Sequence, residues 1–454
     1  MKKVCFCGIS GSGMSALAQV LKMNDWQVCG SDRSFDQNKD IRQKKALEEM
    51  GIKMYPQDGS AIDENTDFLC VSTAVEDSVP DVKKALELGV KIKKRSDLLS
   101  EIFQQYPYGI AVGGTSGKTT LTAMIGFILD KALKKPTVIN GGILKDYENQ
   151  KGIANVILNK GNIAIIEADE SDGSIEKYTP YIAVVNNISI DHKSIDELQQ
   201  LFSDFIKRGK FGVVNADCIN SKELLKLPNV KTFSVQNPTA DLYLSNIKPL
   251  QNGVSYQLKD KTFTLKLIGR FNVLNAAAAI LTTSLLGVDV FEAAKILQNF
   301  SGTKRRLDVI GVQNNVTVID DFAHNPDKVK ASLSALREYK GRLLVMFQPH
   351  GFSPMRMMGR QIIENIAKIL NKDDMLFMPE IFYAGGSVKK DISSKDLIDY
   401  GKTLSINASF FETRNEIKKV LLETAKPGDR IVIMGARDNS LTDFCKDILE
   451  NIKC

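Results

Sequence analysis

Apolar runs alternate with amphipathic stretches along this chain in three successive blocks. The first opens on Val4–Cys7, an apolar run that reads as a buried strand, and passes into a glycine turn. A helical period over Met14–Met23 follows, then a strand over Gln27–Gly30 ending at Ser31-Asp32. Strand Phe68–Ser72, a helix pattern over Val79–Leu88 and strand Val90–Lys93 continue the alternation, which predicts a Rossmann-like unit. Its end falls near Tyr106-Pro107, where a proline and two tyrosines separate two patterns. The second block opens with strand Gly109–Val112 and continues through Ile163–Glu167 and Ile182–Asn187. Lys231–Lys266 carries short strand patterns with little helical period and reads as an antiparallel edge or flap. A small-residue helix begins at Ala276–Ala279, and the block ends near Ser301. The third block restarts with Val316–Asp320 and runs through Leu343–Phe347, Met375–Met378 and Arg430–Met434. It predicts a second doubly wound unit.

The pattern therefore predicts an α/β protein of three domains: a Rossmann-like domain over 1–106, a central P-loop ATPase-type α/β domain over 107–301, and a C-terminal Rossmann-like domain over 302–454. The length of 454 residues suits two to four domains at roughly 100–200 residues each. No 20–50-residue repeat and no low-complexity tract interrupts the blocks.

Composition narrows the partners. Apolar residues at 43% and charged residues at 25% are ordinary for a globular chain with a normal core. The net charge of +6 comes from 60 basic against 54 acidic residues with no Lys/Arg block, which argues against a nucleic-acid partner. The start, Met1-Lys2-Lys3 and an apolar stretch, imitates a signal peptide, but Gly8, Gly11 and Gly13 break it. No run approaches the ~18 apolar residues of a membrane helix, so no membrane partner is expected. Seven scattered cysteines without a C-x-x-C pair suit reduced thiols, and the expectation is a cytoplasmic protein, monomer or homodimer.

The chemistry gathers just beyond strands. After Gly109–Val112 comes Gly113-Gly114-Thr115-Ser116-Gly117-Lys118-Thr119-Thr120, then an apolar helix. Glycines let several backbone N–H groups turn toward one anion, and the helix start adds its dipole. Lys118 would reach the outer phosphates, and the Thr119 hydroxyl would bind Mg²⁺. With Val112 in place of the first glycine, this is a shorter form of the phosphate loop; a chance Gly-Lys-Thr in a glycine turn is the bland alternative. Glu167-Ala168-Asp169-Glu170-Ser171-Asp172-Gly173 puts four carboxylates in six residues at a strand end, where Mg²⁺ or an ordinary solvated turn would relieve their repulsion. Asn186 through His192 follows another strand. All three histidines, His192, His324 and His350, lie just past apolar strands, where open α/β sheets bind ligands. The N-terminal Gly8-x-x-Gly11-x-Gly13, with Asp32 ending the second strand, suits a pyrophosphate, a uridine nucleotide or NAD. An oxidoreductase is thus one alternative, although it leaves Lys118, Glu167 and Arg306 without a role.

In order along the chain, these motifs resemble those of the Mur ligases of peptidoglycan synthesis, and within that family its alanine-adding branch. The likeness includes Gly8–Met14, Ser72 through Arg95, the phosphate loop, Asn140-Gly141-Gly142, Glu167–Gly173, Asn187 through His192, Gly269–Asn275, Gly302 through Arg306, Asp320–Pro326 and Phe347–His350. The resemblance implies ATP and Mg²⁺ as cofactors, UDP-N-acetylmuramate and an amino acid or peptide as substrates, and a role in cell-wall biogenesis, cell shape and division. It implies a UDP-sugar site at Gly8, Ser10, Gly11, Gly13, Met14, Ser31, Asp32, Ser72 and Thr73. It implies an ATP site at Gly114–Thr120, Asn272, Asn275, Arg306 and Asp321, and metal ligands Thr119, Glu167 and His192. Lys118, Glu167, His192 and Arg306 would carry catalysis, with Phe322, His324 and His350 in the amino-acid pocket.

Several positions depart from the family pattern. Ser116 stands where a histidine is usual, Asp191-His192-Lys193-Ser194 differs from the usual segment, and Phe271 and Asn325 each replace a histidine. Gly351 and Pro354 replace arginines that help bind the amino acid's carboxylate, while Arg356 and Arg360 are out of register. A tripeptide-adding recycling ligase, or a paralogue with another amine, therefore stands beside the alanine-adding reading. A non-catalytic nucleotide-binding paralogue is the alternative of another class.

Overall fold

The computed structural model describes residues 2–72, 75–171, 173–189, 193–383, 389–436, 438 and 440–452. The opening apolar run forms β1 (Lys3–Cys7), in which Val4 through Cys7 are fully buried. A strand enclosed on both faces belongs inside a parallel sheet with helices on either side. Here β1 lies between β2 (Gln27–Ser31) and β4 (Phe68–Val71), and β3 (Lys53–Tyr55) and β5 (Lys91–Lys94) complete an all-parallel sheet of order β3-β2-β1-β4-β5. The order reverses between β1 and β4, and the glycine turn leaves β1 at that switch point, the usual ligand edge of such sheets.

The central sheet uses β6 (Tyr108–Gly113), β7 (Thr137–Ile139), β8 (Val156–Ile157), β9 (Ile163–Glu167), β10 (Ile182–Val185), β11 (Phe211–Asn215), β12 (Val230–Ser234), β13 (Leu242–Leu250), β14 (Gly253–Leu258) and β15 (Lys261–Leu265), in the order β15-β14-β13-β12-β11-β10-β6-β9-β7-β8. β6 runs parallel to both neighbours, β9 and β10. The Lys231–Lys266 stretch is not wholly an antiparallel flap: β12 is a parallel partner of β11, and β13 joins β12 in parallel. Strand β10 stops at Val185, which frees Asn186 and Asn187 for the loop beyond it. The small-residue helix spans Arg270–Ser284 and so starts before Ala276.

The third sheet holds β16 (Asp308–Gln313), β17 (Val316–Asp321), β18 (Leu343–Phe347), β19 (Met375–Met378), β20 (Ala408–Phe410) and β21 (Arg430–Met434), in the order β16-β17-β21-β18-β19-β20. β16 was not expected. It pairs antiparallel with β17 through Asn314 (φ 49°) and Asn315 (φ 61°), two successive left-handed residues of the kind that match hairpin twist. The half-buried β16 shows little hydrophobic contrast, but Asn-Asn was a readable turn signal. By contact density the chain forms two compact units, one of 1–246, 256–264 and 273–303, the other of 247–255, 265–272 and 304–454.

One close approach shapes the first glycine turn. A Cβ at Gly30 would lie 2.5 Å from Ile9 Cδ1 and 3.1 Å from the Phe6 carbonyl oxygen, so β2 can pack against the turn only as glycine. Gly30→Ala is expected to destabilise the protein by about 1–3 kcal/mol through overpacking. Urea denaturation checks this, and an unchanged midpoint would refute it.

Candidate active site

The phosphate loop owes its shape to two glycines. Gly114 (φ +127°) and Gly117 (φ +81°) adopt backbone conformations that side chains disfavour. Added Cβ atoms would sit 3.1 Å from Asn187 N and 2.6 Å from Asn186 Nδ2, respectively. The helix Lys118–Lys131 begins directly after Gly117 without a side-chain cap, leaving first-turn N–H groups to face an anion. Asn187 braces the loop from beyond β10. Its Oδ1 accepts from Ser116 N and Thr115 Oγ1, both at 2.9 Å, while its Nδ2 donates to Ser116 O at 2.9 Å. Thr115 Oγ1 also lies 2.7 Å from Ser189 Oγ. Asn186 Nδ2 donates to Asn275 Oδ1 at 2.9 Å, which places Asn275 beside the loop.

The acidic strand end does not act as one cluster. Glu167 Oε2 accepts from Thr119 Oγ1 at 2.9 Å, and its Oε1 accepts from Gly141 N at 2.6 Å. Glu170 turns instead to Lys118, whose Nζ donates to Glu170 Oε2 at 2.6 Å and to Gly114 O at 2.8 Å. The Glu170 side chain is only 5% exposed. Burial pushes its carboxyl above the usual range, against the pull of Lys118. At Asp169, burial also raises, but the Lys118 charge and the Ser171 N–H outweigh it and hold the carboxyl low. Among the described residues no three His, Cys, Asp or Glu side chains converge as a metal cage. Mg²⁺ commonly takes one or two protein oxygens and completes its shell with phosphates and water. The adjacent Thr119 hydroxyl and Glu167 carboxylate fit that demand. Thr120 is buried at the same helix start. His192, the other expected ligand, lies outside the described residues, as does Thr73.

At the first glycine turn, several expected contact residues prove to serve the fold. Gly8 and Ile9 donate their N–H groups to Ser31 O at 2.9 and 3.1 Å. Ser10 N donates to Asp32 Oδ2 at 2.8 Å, while Asp32 Oδ1 accepts from Ser34 N and Oγ. The Ser31 hydroxyl donates to Asp81, whose other oxygen takes Gly59 N at 2.8 Å. Ser31 and Met14 are enclosed, and Asp32 has both carboxylate oxygens occupied. These three thus hold the turn rather than face out of it, because a tight turn must satisfy its own backbone groups first. Gly11 stays exposed, and Ser72 lies near Gly8. Arg95 lies over Gly13, with its Cδ 3.0 Å from where a Cβ would stand. That makes it a cation at the turn which the sequence reading left without a role.

The C-terminal unit holds a second group. Of the adjacent Arg305 and Arg306, Arg305 is the buried one: its Nε reaches Asp320 Oδ1 at 3.3 Å and its Nη2 donates to Gly435 O. Arg306 stays half-buried over the Phe322 ring, 5.1 Å from its centroid. Asp321 is enclosed and accepts from Leu307 N at 3.2 Å, and burial pushes its carboxyl up. Its Oδ1 is thus engaged by the fold, while its buried Oδ2 has no hydrogen-bond partner among the described residues. Asn272 is likewise buried, donating to Ile268 O at 2.8 Å. His324 stands edge-on to His350, with ring centroids 5.4 Å apart, and its Nδ1 lies 2.8 Å from Phe322 O. A carbonyl only accepts, so Nδ1 carries the proton and Nε2 keeps its lone pair. Asn325 caps the helix Pro326–Arg337 through Lys328 N at 2.9 Å. Gly351 (φ +71°) precedes the helix Phe352–Ala367 in a conformation that disfavours an arginine. Arg356 is paired with Asp391 at 2.9 Å and donates to Lys389 O at 3.0 Å.

Burial, together with the nearby Lys328, His350 and Arg306, pushes His324 down from about 6.5 to about 4. Between those values the unfolded chain binds more protons than the folded one. The stabilisation from neutral His324 is therefore complete above the unfolded value and is lost as pH falls toward the folded one. His324→Gln should shrink the fall in urea midpoint between pH 7 and pH 5. An identical fall in both proteins would contradict a buried neutral imidazole.

Comparison with known proteins meets this geometry at every sheet. The Mur ligase family, catalytic domain matches residues 3–107, the Mur ligase middle domain residues 112–283, and the Mur ligase, glutamate ligase domain residues 305–437. A UDP-N-acetylmuramate–L-alanine ligase of Persephonella marina is 33% identical over 99% of this chain and 98% of its own. One from Dictyoglomus turgidum is 32% identical over 96% of this chain and 94% of its own. The crystal structure of UDP-N-acetylmuramate-alanine ligase from Thermotoga maritima superposes with a TM-score of 0.80 at 25% identity, covering 99% of both chains. A murein peptide ligase from Psychrobacter arcticus has the same fold, with a TM-score of 0.66 at 23% identity over the full length of both. Three family matches in chain order, with near-complete relatives above 30% identity, establish that the chain belongs to the Mur ligase family.

Proposed function

We propose that this chain is an ATP-dependent ligase that joins L-alanine to UDP-N-acetylmuramate through an acyl phosphate, releasing ADP and phosphate, in peptidoglycan synthesis. The observation that carries the reading is the pairing of Lys118 with Glu170 and of Thr119 with Glu167 around one glycine loop. Residues 1–106 take the UDP-sugar, 107–301 take ATP, and 302–454 supply Phe322, His324 and His350 for the amine. The protein works in the cytoplasm as a monomer or homodimer.

Lys118 exchanges Glu170 for the outer phosphates and offsets their charge as the muramate carboxylate attacks the γ-phosphorus. Thr119 and Glu167 would hold Mg²⁺, with His192 as a further ligand, and the ion would neutralise phosphate charge. Gly114 through Thr120 present backbone N–H groups to the polyphosphate, and Asn275, braced by Asn186, stands next to that loop. Arg306 adds a second cation for the transferring phosphoryl group. The amine then attacks the acyl carbon, and the tetrahedral intermediate expels phosphate. Neutral His324 keeps a lone pair on Nε2, suited to accept a hydrogen bond from the incoming amine.

A second reading concerns the amine alone. Asp391 already occupies Arg356, and Gly351 offers no side chain, so the pocket lacks the family's arginine pair for a single amino acid's carboxylate. A peptide acceptor, as for a recycling ligase, would need that pair less. Phosphate release with UDP-N-acetylmuramate, ATP and Mg²⁺, read with L-alanine against L-Ala-γ-D-Glu-diaminopimelate, separates the two. Lys118→Ala should lower kcat on the order of 10²–10³-fold, as for loss of a group that meets developing charge. Nucleotide binding without release over a broad amine panel would support a non-catalytic paralogue and overturn the ligase.

A further inference from the structure

Two fully buried amides lie outside the roles above. Gln19 sits in the helix Ser12–Met23 that follows the first glycine turn, and Asn155 precedes β8; they are 0% and 1% exposed. Gln19 Nε2 donates to Asn155 Oδ1 at 2.9 Å, and Gln19 Oε1 accepts from Ile153 N at 2.8 Å. Asn155 Nδ2 donates to Ser12 O at 2.7 Å and to Ser15 Oγ at 3.1 Å. Oxygen and nitrogen of both amides are engaged, so the pair carries no burial penalty for unmet polar atoms.

The same residue reaches the other site through its backbone. Asn155 O accepts from Asn140 N at 2.9 Å. The next residue, Gly141, donates its N–H to Glu167 Oε1, and Glu167 Oε2 holds Thr119. One hydrogen-bonded path thus runs from Ser12, at the glycine turn, to Thr119, at the phosphate loop. The fit is close. A Cβ at Gly152 would lie 2.3 Å from Gln19 Oε1, and one at Gly141 would lie 2.8 Å from Glu167 Oε1.

We propose that Asn155 is a positioning residue that sets the register between the turn taking the UDP-sugar and the loop taking ATP. This rests on the functional reading above. Two apolar side chains of the same shape would hold these elements together about as firmly. A satisfied amide pair adds direction, since each bond tolerates little displacement. Direction matters here because carboxylate and γ-phosphorus must come within about 3–3.5 Å, and a misplacement of about 1 Å costs on the order of 10²-fold in rate.

The test compares wild type with Asn155→Leu and Ser15→Ala. Affinities for UDP and for ADP are measured separately by calorimetry, and kcat at saturating UDP-N-acetylmuramate, ATP and amine. The expected result for Asn155→Leu is a kcat lowered 10- to 100-fold, with both affinities within threefold of wild type. Ser15→Ala, which removes one acceptor and keeps the core, should show a smaller fall, about threefold or more, at unchanged affinities. It decides the matter if Asn155→Leu does not fold. Wild-type kcat in the folded variants, or a fall matched by weaker binding of both probes, overturns the inference and leaves a structural contact. A wild-type chain that turns over no amine overturns the functional reading instead, and the inference with it.

Discussion

Strand β6 lies hydrogen-bonded between β9 and β10, with Val112 level with Glu167 and Gly113 level with Val185. Because the three strands are parallel, their carboxyl ends emerge at one edge of the sheet, and the chain segments that follow them share one small volume. The phosphate loop comes from β6, Glu167 and Glu170 from β9, and Asn186, Asn187 and Ser189 from β10. Slipping β6 or β9 by one residue would reverse its side chains between faces and separate Thr119 from Glu167. Every contact around the loop depends on that register.

Charge within this volume is balanced by division of labour. An unpaired Glu170 buried to 5% exposure would be strongly unfavourable, and Lys118 is its partner at 2.6 Å. Lys118 is thereby held at the loop, beside Gly114 O, instead of ranging through solvent. Under the proposed function, a polyphosphate entering the loop would compete with Glu170 for one ammonium, and nucleotide affinity would include the cost of releasing that pair. Glu167 is spared this competition, since its partners are a hydroxyl and a backbone N–H, both exchangeable for a cation.

The C-terminal unit applies the same logic with different results for neighbouring residues. Of two adjacent arginines, Arg305 is drawn into the fold by Asp320 and Gly435 O, which leaves Arg306 over Phe322. Asn325 serves as a helix cap, and Gly351 as a left-handed helix entry. Both sit close in the chain to His324 and His350, whose rings meet edge-on.

Much of this was legible in the chain itself. Unbroken apolar runs ending in glycine, acid or histidine marked β1, β6, β9, β17 and β18, because a strand buried on both faces leaves no polar alternation and delivers its chemistry at its end. The phosphate loop could be read from Gly114, Gly117 and Lys118 alone, since only glycine takes those backbone angles cheaply. Half-buried β16 was marked only by its Asn314-Asn315 turn, and the parallel pairing of β12 with β13 not at all, because edge strands carry weak contrast and pairing direction is a long-range choice. Nor could the partners of equivalent side chains be read. Four carboxylates in one run look alike until the fold buries Glu170 against Lys118 and turns Glu167 to Thr119. Local backbone chemistry is written along the chain, whereas burial and charge pairing join residues far apart in it, and only tertiary structure decides which acid each cation meets.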